Sequence, residues 1–260
     1  MERLTDALSE PVIAAADVIP WACPVPYFGR ISESRVATVG INPSNLEFVD
    51  RSKSPLNPTE RRLPTLGSMG LEDWSQADPS TAERLLQGCS DYFEKNPYRS
   101  WFDELDRMLR PSGYSYYSNT LGGGTACHLD VVPYATNSKW GLLTAAQRGA
   151  LLAMGLEATV HFLRTSPITL LLLNGTSVVA LLQPQIDRLA ARPMPTWSLQ
   201  QKTKQVPGAA YIGETRHLAG IELGRTVQVL GWNHNIQSSF GVTTIVKNAI
   251  ASWIASEGNL

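Results

Sequence analysis

Three short polar segments, far apart in the chain, carry the residue types that can do chemistry. Gly40-Ile41-Asn42-Pro43-Ser44 follows one apolar run, with Glu47 and Phe48 just beyond it. Leu129-Asp130-Val131-Val132-Pro133-Tyr134 ends a second apolar run, and Gly231-Trp232-Asn233-His234-Asn235-Ile236-Gln237-Ser238-Ser239 closes the last. The Asn42 amide both donates and accepts hydrogen bonds, whereas an ionised Asp130 only accepts. Glu47 is a candidate general base. Each residue also has a plainer explanation. Asn-Pro often starts a turn, a strand-end Asp caps one, Glu47 fits an exposed loop, and a lone His is more often structural. Core packing explains Phe48 and Tyr134.

The elements that would position these residues are legible in outline. Val36–Ile41, Ala126–Val132, Ile168–Leu173 and Thr226–Leu230 are short apolar runs rich in β-branched or aliphatic residues, and they read as buried strands. Between them lie helical stretches. One is capped by Ser80-Thr81 and runs to about Phe93, and one opens at Pro97 and covers Tyr98–Leu109. A third runs from Thr144 to about Arg164. A fourth runs from about Thr176, with a bend expected at Pro184, and a last one, capped by Ser238 or Ser239, reaches about Ala255. Strands alternating with helices imply a parallel sheet covered on both faces. The expectation is a single three-layer α/β domain over residues 1–260, with a central, mostly parallel, four-stranded sheet flanked by helices. Residues 1–34 form an N-terminal wrap anchored by Trp21 and Tyr27, and residues 49–125 form an insertion, irregular over 49–80. The segment 193–215 fits no element. In an open parallel sheet, loops at the carboxyl ends of strands line the ligand crevice, which would gather Asn42, Asp130 and His234.

Composition narrows the classes. At 260 residues, with 43% hydrophobic and 17% charged, the chain reads as globular. No apolar run is long enough to span a bilayer, and the acidic N-terminus lacks a secretory pattern, so a cytoplasmic protein and a monomer are expected. Cys23, Cys89 and Cys127 are too few for a four-thiolate cluster and lack zinc spacing, so no metal and no cofactor are expected. The three read as small buried hydrophobes. Net charge is −1 and gives no overall case for nucleic acid. Residues 1–109 hold 11 Lys/Arg against 17 Asp/Glu, and residues 110–260 hold 11 against 6, so charge alone would put a DNA-binding face in the second part. The Gly-x-Ser-x-Gly elbow and the phosphate-binding loop are both absent. Gly122–Gly124 precedes a strand instead of opening a helix, so it is no dinucleotide loop.

Taken together, the three segments resemble the motif set of the uracil-DNA glycosylase superfamily, especially its Gly-Ile-Asn-Pro branch. The resemblance covers roughly 36–48, 126–136, 168–174 and 226–256. It implies that Asn42 positions the attacking water, with Gly40, Ile41, Pro43 and Ser44 shaping the substrate pocket around it. Asp130 stands where the superfamily has an Asn that reads the flipped base. His234 would stabilise negative charge on the departing base. Asn235, Gln237, Ser238 and Ser239 would enter the duplex. Asn235 and Ile236 replace the usual Pro and Ser after the His.

The implied activity is hydrolysis of an N-glycosidic bond in duplex DNA, with the target base flipped out at a cost of roughly a few kcal/mol. Phe48 and Tyr134 are candidates to stack that base. Asp130 in place of Asn argues against plain uracil and toward a cytosine-type base. Some superfamily members act in bacterial antiviral defence and excise glucosylated hydroxymethylcytosine from phage DNA, which makes such a base the leading expectation. Repair of uracil or mismatched bases is one alternative, a non-catalytic nucleic-acid-binding module of the same fold another, and a nucleoside hydrolase a third.

Overall fold

Aliphatic runs become strands because burying each Leu, Ile or Val side chain contributes roughly 1.5–3 kcal/mol. In the computed structural model, residues 1–200, 205–237 and 241–258 are described. The long elements in chain order are β1 (Val36–Gly40), α1 (Pro79–Ser90), α2 (Arg99–Leu109), β2 (Gly124–Asp130), α3 (Ala145–Thr165), β3 (Leu170–Asn174), α4 (Thr176–Leu182), β4 (Ile186–Pro193), β5 (Ala209–Leu218), β6 (Ile221–Trp232) and α5 (Thr244–Glu257). They form an α/β fold that divides into two compact units. The first holds Met1–Arg30, Ile41–Tyr98 and Leu129–Phe162, and the second holds Ile31–Gly40, Arg99–His128 and Leu163–Leu260.

The second unit contains a mixed sheet in the order β2-β1-β3-β6-β5-β4. Its centre is parallel. Val36 to Val39 align with Leu170 to Leu173, and Gln228 to Trp232 align with Leu170 to Asn174. All five residues of β3 are buried, as a strand covered on both faces requires. The four-stranded expectation is corrected by β4 and β5, which extend the sheet with antiparallel pairing. β4 is largely exposed, and β5 mixes buried, half-buried and exposed residues without regular alternation, so 193–215 gave no clear strand signal. The outer strand β4 carries exposed Asp187, Arg188 and Arg192 before ending at Pro193. Helix α4 packs on β3 and β6. It stops at Leu182, where a short 3-10 turn through Pro184 replaces the expected bend.

Two helix starts also differ from expectation. Asp78, not Ser80 or Thr81, caps α1. Its Oδ1 accepts from the Thr81 amide at 2.7 Å, and Pro79 takes the first helical position. These hydrogen bonds hold the Asp78 carboxyl down at about 2. Helix α5 begins at Thr244, and its cap is Thr243, whose Oγ1 accepts from the Val246 amide at 3.3 Å. Ser238 and Ser239 lie outside the described residues. Among those described, no helix is long and apolar enough to cross a membrane, and no group of three or more His, Cys, Asp or Glu could hold a metal ion. Cys23, Cys89 and Cys127 are buried and unpaired, and burial pushes all three thiols up.

In the first unit the N-terminal segment runs along the chain that leaves β2. Val25 donates to the Pro133 carbonyl at 2.7 Å, Ile19 donates to Ala135 at 2.9 Å, and Asn137 donates to Asp17 at 2.9 Å. Trp21 meets Phe48 edge-on at 6.1 Å, and Tyr27 meets Phe162 edge-on at 5.1 Å. Helix α3 presses on the same chain through Gly155. A Cβ there would lie 2.1 Å from the Val131 carbonyl oxygen. One turn on, Thr159 Oγ1 donates to that oxygen at 3.3 Å. Gly155→Ala is expected to destabilise the protein by about 1–3 kcal/mol, since backbone must shift. Urea unfolding checks this, and an unchanged midpoint would contradict the close packing.

Candidate functional site

In the first unit the exits of β1 and β2 lie side by side, with Val132 donating to the Ile41 carbonyl at 2.8 Å. The next residue, Asn42, is half-buried, and its side-chain nitrogen is held by the loop after β2. Asn42 Nδ2 donates to Thr136 Oγ1 at 3.1 Å and to the Tyr134 carbonyl at 3.3 Å. Thr136 is buried, and its hydroxyl donates onward to the Ser138 carbonyl at 2.7 Å. The same nitrogen also donates to the adjacent Pro43 carbonyl at 3.4 Å, so the amino side of the amide is engaged by protein acceptors. Asn42 Oδ1 has no protein donor among the described residues and remains an available acceptor. Ser44 does local work, its Oγ accepting from the Leu46 amide at 3.2 Å to cap a single 3-10 turn. Pro43 is the buried residue between Asn42 and that cap. Gly40, the last residue of β1, belongs to the second unit.

That turn carries Glu47 inward. Glu47 is only 2% exposed, and Tyr92 OH donates to its Oε2 at 2.7 Å. The same phenol oxygen accepts from the Tyr98 amide at 2.9 Å. Arg62 Nη1 donates to the neighbouring Leu46 carbonyl at 2.7 Å, with its guanidinium 5.2 Å from the centre of the Tyr98 ring. Burial pushes the Glu47 carboxyl up to about 8. Tyr92 and Arg62 oppose the shift, and the charge of nearby Asp130 adds to it. The protonated form of Glu47 is thereby favoured near pH 7. Asp130 is also buried, at 5% exposed. Glu47 and Phe48 line a cavity of about 90 Å³ together with Trp21, Pro55, Leu56, Arg61, Leu63 and Thr65.

The structure thus gathers Asn42, Glu47, Phe48 and Asp130 in the first unit. Tyr134 joins them through its carbonyl. Its ring packs with Leu4, Ile13, Val132 and Leu151, and its hydroxyl donates to the Leu4 carbonyl at 3.0 Å. The ring serves the core in this structure and is not presented for stacking.

The His234 loop belongs to the second unit and is organised by Asn174 at the end of β3. Asn174 Oδ1 accepts from Trp232 Nε1 at 3.1 Å and from the Ile236 amide at 3.2 Å, and its Nδ2 donates to Gln237 Oε1 at 2.5 Å. Gln237 Nε2 donates to the Trp101 carbonyl at 3.4 Å. Asn235 Oδ1 accepts from the Gln237 amide at 3.1 Å, and Asn235 packs over Gly175, where φ is +96° and a Cβ would lie 3.0 Å from Asn235 Cβ. His234 is 3% exposed, with Nε2 on the Trp197 carbonyl at 2.8 Å. Burial lowers its pKa, so the ring is neutral. A carbonyl partner requires Nε2 to donate, which leaves Nδ1 as a lone pair.

Sequence reading does not single out Thr136, Tyr92, Arg62 or Asn174. Asn174 carried a usable signal, a polar residue closing a run of four leucines. Tyr92 and Arg62 had none, because their contacts to the Glu47 turn are non-local. No family model matches the chain, and no curated protein matches it.

Two outcomes follow from this geometry. Glu47 has a native pKa of about 8 against an ordinary 4.5, so the native state holds the extra proton between those values. Stability is then complete below pH ~4.5 and declines as pH rises through ~8. Thermal melts from pH 5 to 8.5 should show a falling midpoint, and Glu47→Gln should flatten the fall. Parallel profiles would refute the assignment. Asn174→Ala strands two buried donors at a cost of roughly 1–3 kcal/mol each. Faster amide exchange at Ile236 than in the parent is the expected readout, and unchanged exchange would deny Asn174 its organising role.

Proposed function

We propose that this chain is a monofunctional DNA glycosylase related to the uracil-DNA glycosylase superfamily. It would hydrolyse the N-glycosidic bond of a base flipped out of DNA and leave an abasic site. The observation that carries the reading is Asn42, whose side-chain nitrogen is engaged by Tyr134, Thr136 and Pro43, which leaves Oδ1 as an acceptor for water. The neutral Glu47 five residues on and the buried Asp130 support it.

In this scheme Asn42 Oδ1 accepts a hydrogen bond from the attacking water and orients it toward the sugar C1′. The C1′–N bond breaks, and its electron pair leaves on the base. Glu47 gives that base its proton, and the proton shed by the water returns to the Glu47 carboxylate. This removes the difficulty that an Asn is a poor proton acceptor, because a carboxyl group completes the proton balance. Asp130, an acceptor at the base edge, would take a hydrogen bond from an exocyclic amino group, which favours a cytosine-type base. The leading substrate is a modified cytosine of phage DNA, such as glucosylated hydroxymethylcytosine, in antiviral defence. Uracil or mismatched-base excision in DNA repair is the competing substrate class, and a non-catalytic nucleic-acid-binding module is the competing functional class. With Nε2 committed to Trp197, His234 holds its loop, and stabilising the leaving base would require protonation at Nδ1.

The test is abasic-site formation on phage DNA bearing modified cytosines, beside uracil-containing and unmodified DNA. Modified-cytosine DNA should be cut to abasic sites, and Asn42→Ala and Glu47→Gln should each slow this by about 10²- to 10⁴-fold without loss of fold. The wild-type rate should fall as pH rises past about 8, as Glu47 loses its proton. Release of uracil alone would select repair. Failure to release any base would leave the binding module.

A further inference from the structure

A second cavity of the first unit, about 410 Å³, has a cationic lining. Arg61, Arg62, Arg84 and Lys95 all border it, with Gln87 and Ser68 among its other polar residues, and no acidic side chain lines it. Arg84 and Lys95 are exposed, and Arg61 and Arg62 are half-buried. Lys95 has a carboxylate partner, Asp91 Oδ2 at 3.1 Å, which also belongs to the network reached by Gln87 Nε2 through Asp91 Oδ1 at 2.6 Å. No ion pair is found for Arg61, Arg62 or Arg84 among the described residues. The Arg62 Nε atom is buried with no hydrogen-bond partner. The groove walls are stiff. Helix α1 packs so closely that a Cβ on Gly88 would lie 3.0 Å from Pro64 Cγ, and the turn at Thr65 is closed by reciprocal bonds with Ser68.

Position adds to charge. Arg61 and Leu63 line both this groove and the cavity that holds Glu47 and Phe48. Arg62 links them as well, bordering the groove while its Nη1 fixes the Leu46 carbonyl beside Glu47. A concave run of cations leading to a small cavity with a carboxyl group fits a ligand with repeated negative charges and one uncharged ring to insert. That is a nucleic-acid strand. Guanidinium groups match phosphate oxygens in pairs, and such contacts fix register without reading sequence. A half-chain charge count points elsewhere, since residues 1–109 carry the acidic excess. Folding collects these four cations onto one face.

We infer that the Arg61–Arg62–Arg84–Lys95 groove is a phosphate-backbone site that seats DNA beside the Glu47 cavity. The inference rests on the glycosylase reading for the identity of the strand, and it assigns the DNA contact to the 58–95 segment.

The experiment measures binding of full-length protein to a fluorescent DNA duplex without any modified base, at several salt concentrations. Arg84→Ala, Lys95→Ala and the double variant are compared with Arg216→Ala, an exposed cation of β5 outside the groove. Circular dichroism verifies folding. The groove variants should bind several-fold more weakly whatever the DNA sequence, with the slope of log K against log salt reduced by about 1 in each single variant and about 2 in the double variant. Arg216→Ala should leave affinity and slope at the parent values. Equal affinity and slope in parent and groove variants would overturn the inference, as would an equal loss in Arg216→Ala. Saturation of the groove by inorganic pyrophosphate without competition against DNA would overturn it too. Abasic-site assays on the parent protein separate the two ideas. Groove-dependent binding with no base release refutes the glycosylase reading alone, and base release with groove-independent binding refutes the groove alone.

Discussion

The site depends on how one side-chain amide is held. Asn42 leaves β1 next to the chain leaving β2, and its side-chain nitrogen donates to a backbone carbonyl and a threonine hydroxyl of that neighbouring chain. An asparagine on a free loop would sample many orientations, and its oxygen would be one acceptor among many in water. Here the geometry is imposed from behind. The receiving loop is itself pinned by the N-terminal segment through Pro133, Ala135 and Asn137. It is pressed into place by α3 at Gly155. Residues over a hundred positions apart thus set the direction of one oxygen atom, the kind of support a reactive group needs to stay oriented.

The carboxyl group beside it shows a different use of the interior. Glu47 is taken out of water by a single 3-10 turn, and that burial favours its neutral form even though its one phenolic donor, Tyr92, opposes the shift. A second buried carboxylate, Asp130, strengthens that preference.

Much of this was legible in the chain, for identifiable reasons. The strand runs at 36, 126, 168 and 226 are aliphatic enough to be read directly, and placing Asn42 and Asp130 at strand ends follows from them. The β4 and β5 hairpin was not, because residues such as Asp187, Arg188 and Glu214 break any apolar pattern, and its stability comes from pairing with β6. The α5 cap was misplaced because Ser238, Ser239 and Thr243 are chemically alike, and only the fold distinguishes them. Glu47 reads as an exposed loop residue until Tyr92, far along the chain, is placed against it. Tyr134 reads as an aromatic near a pocket until Leu4 claims its hydroxyl. Tertiary partners decided each of these cases, and a single sequence does not display them.

The outermost strand has a consequence for how the molecule keeps to itself. β4 ends the sheet, so one side of its backbone offers unsatisfied amide and carbonyl groups to any other chain. An apolar strand in that place would invite edge-to-edge polymerisation. This one presents Asp187, Arg188 and Arg192 and ends at Pro193, which has no amide hydrogen to give. Ordered stacking of copies along that rim would have to take these charged side chains out of water and leave a backbone bond unmade at the proline, so the exposed edge resists seeding fibres.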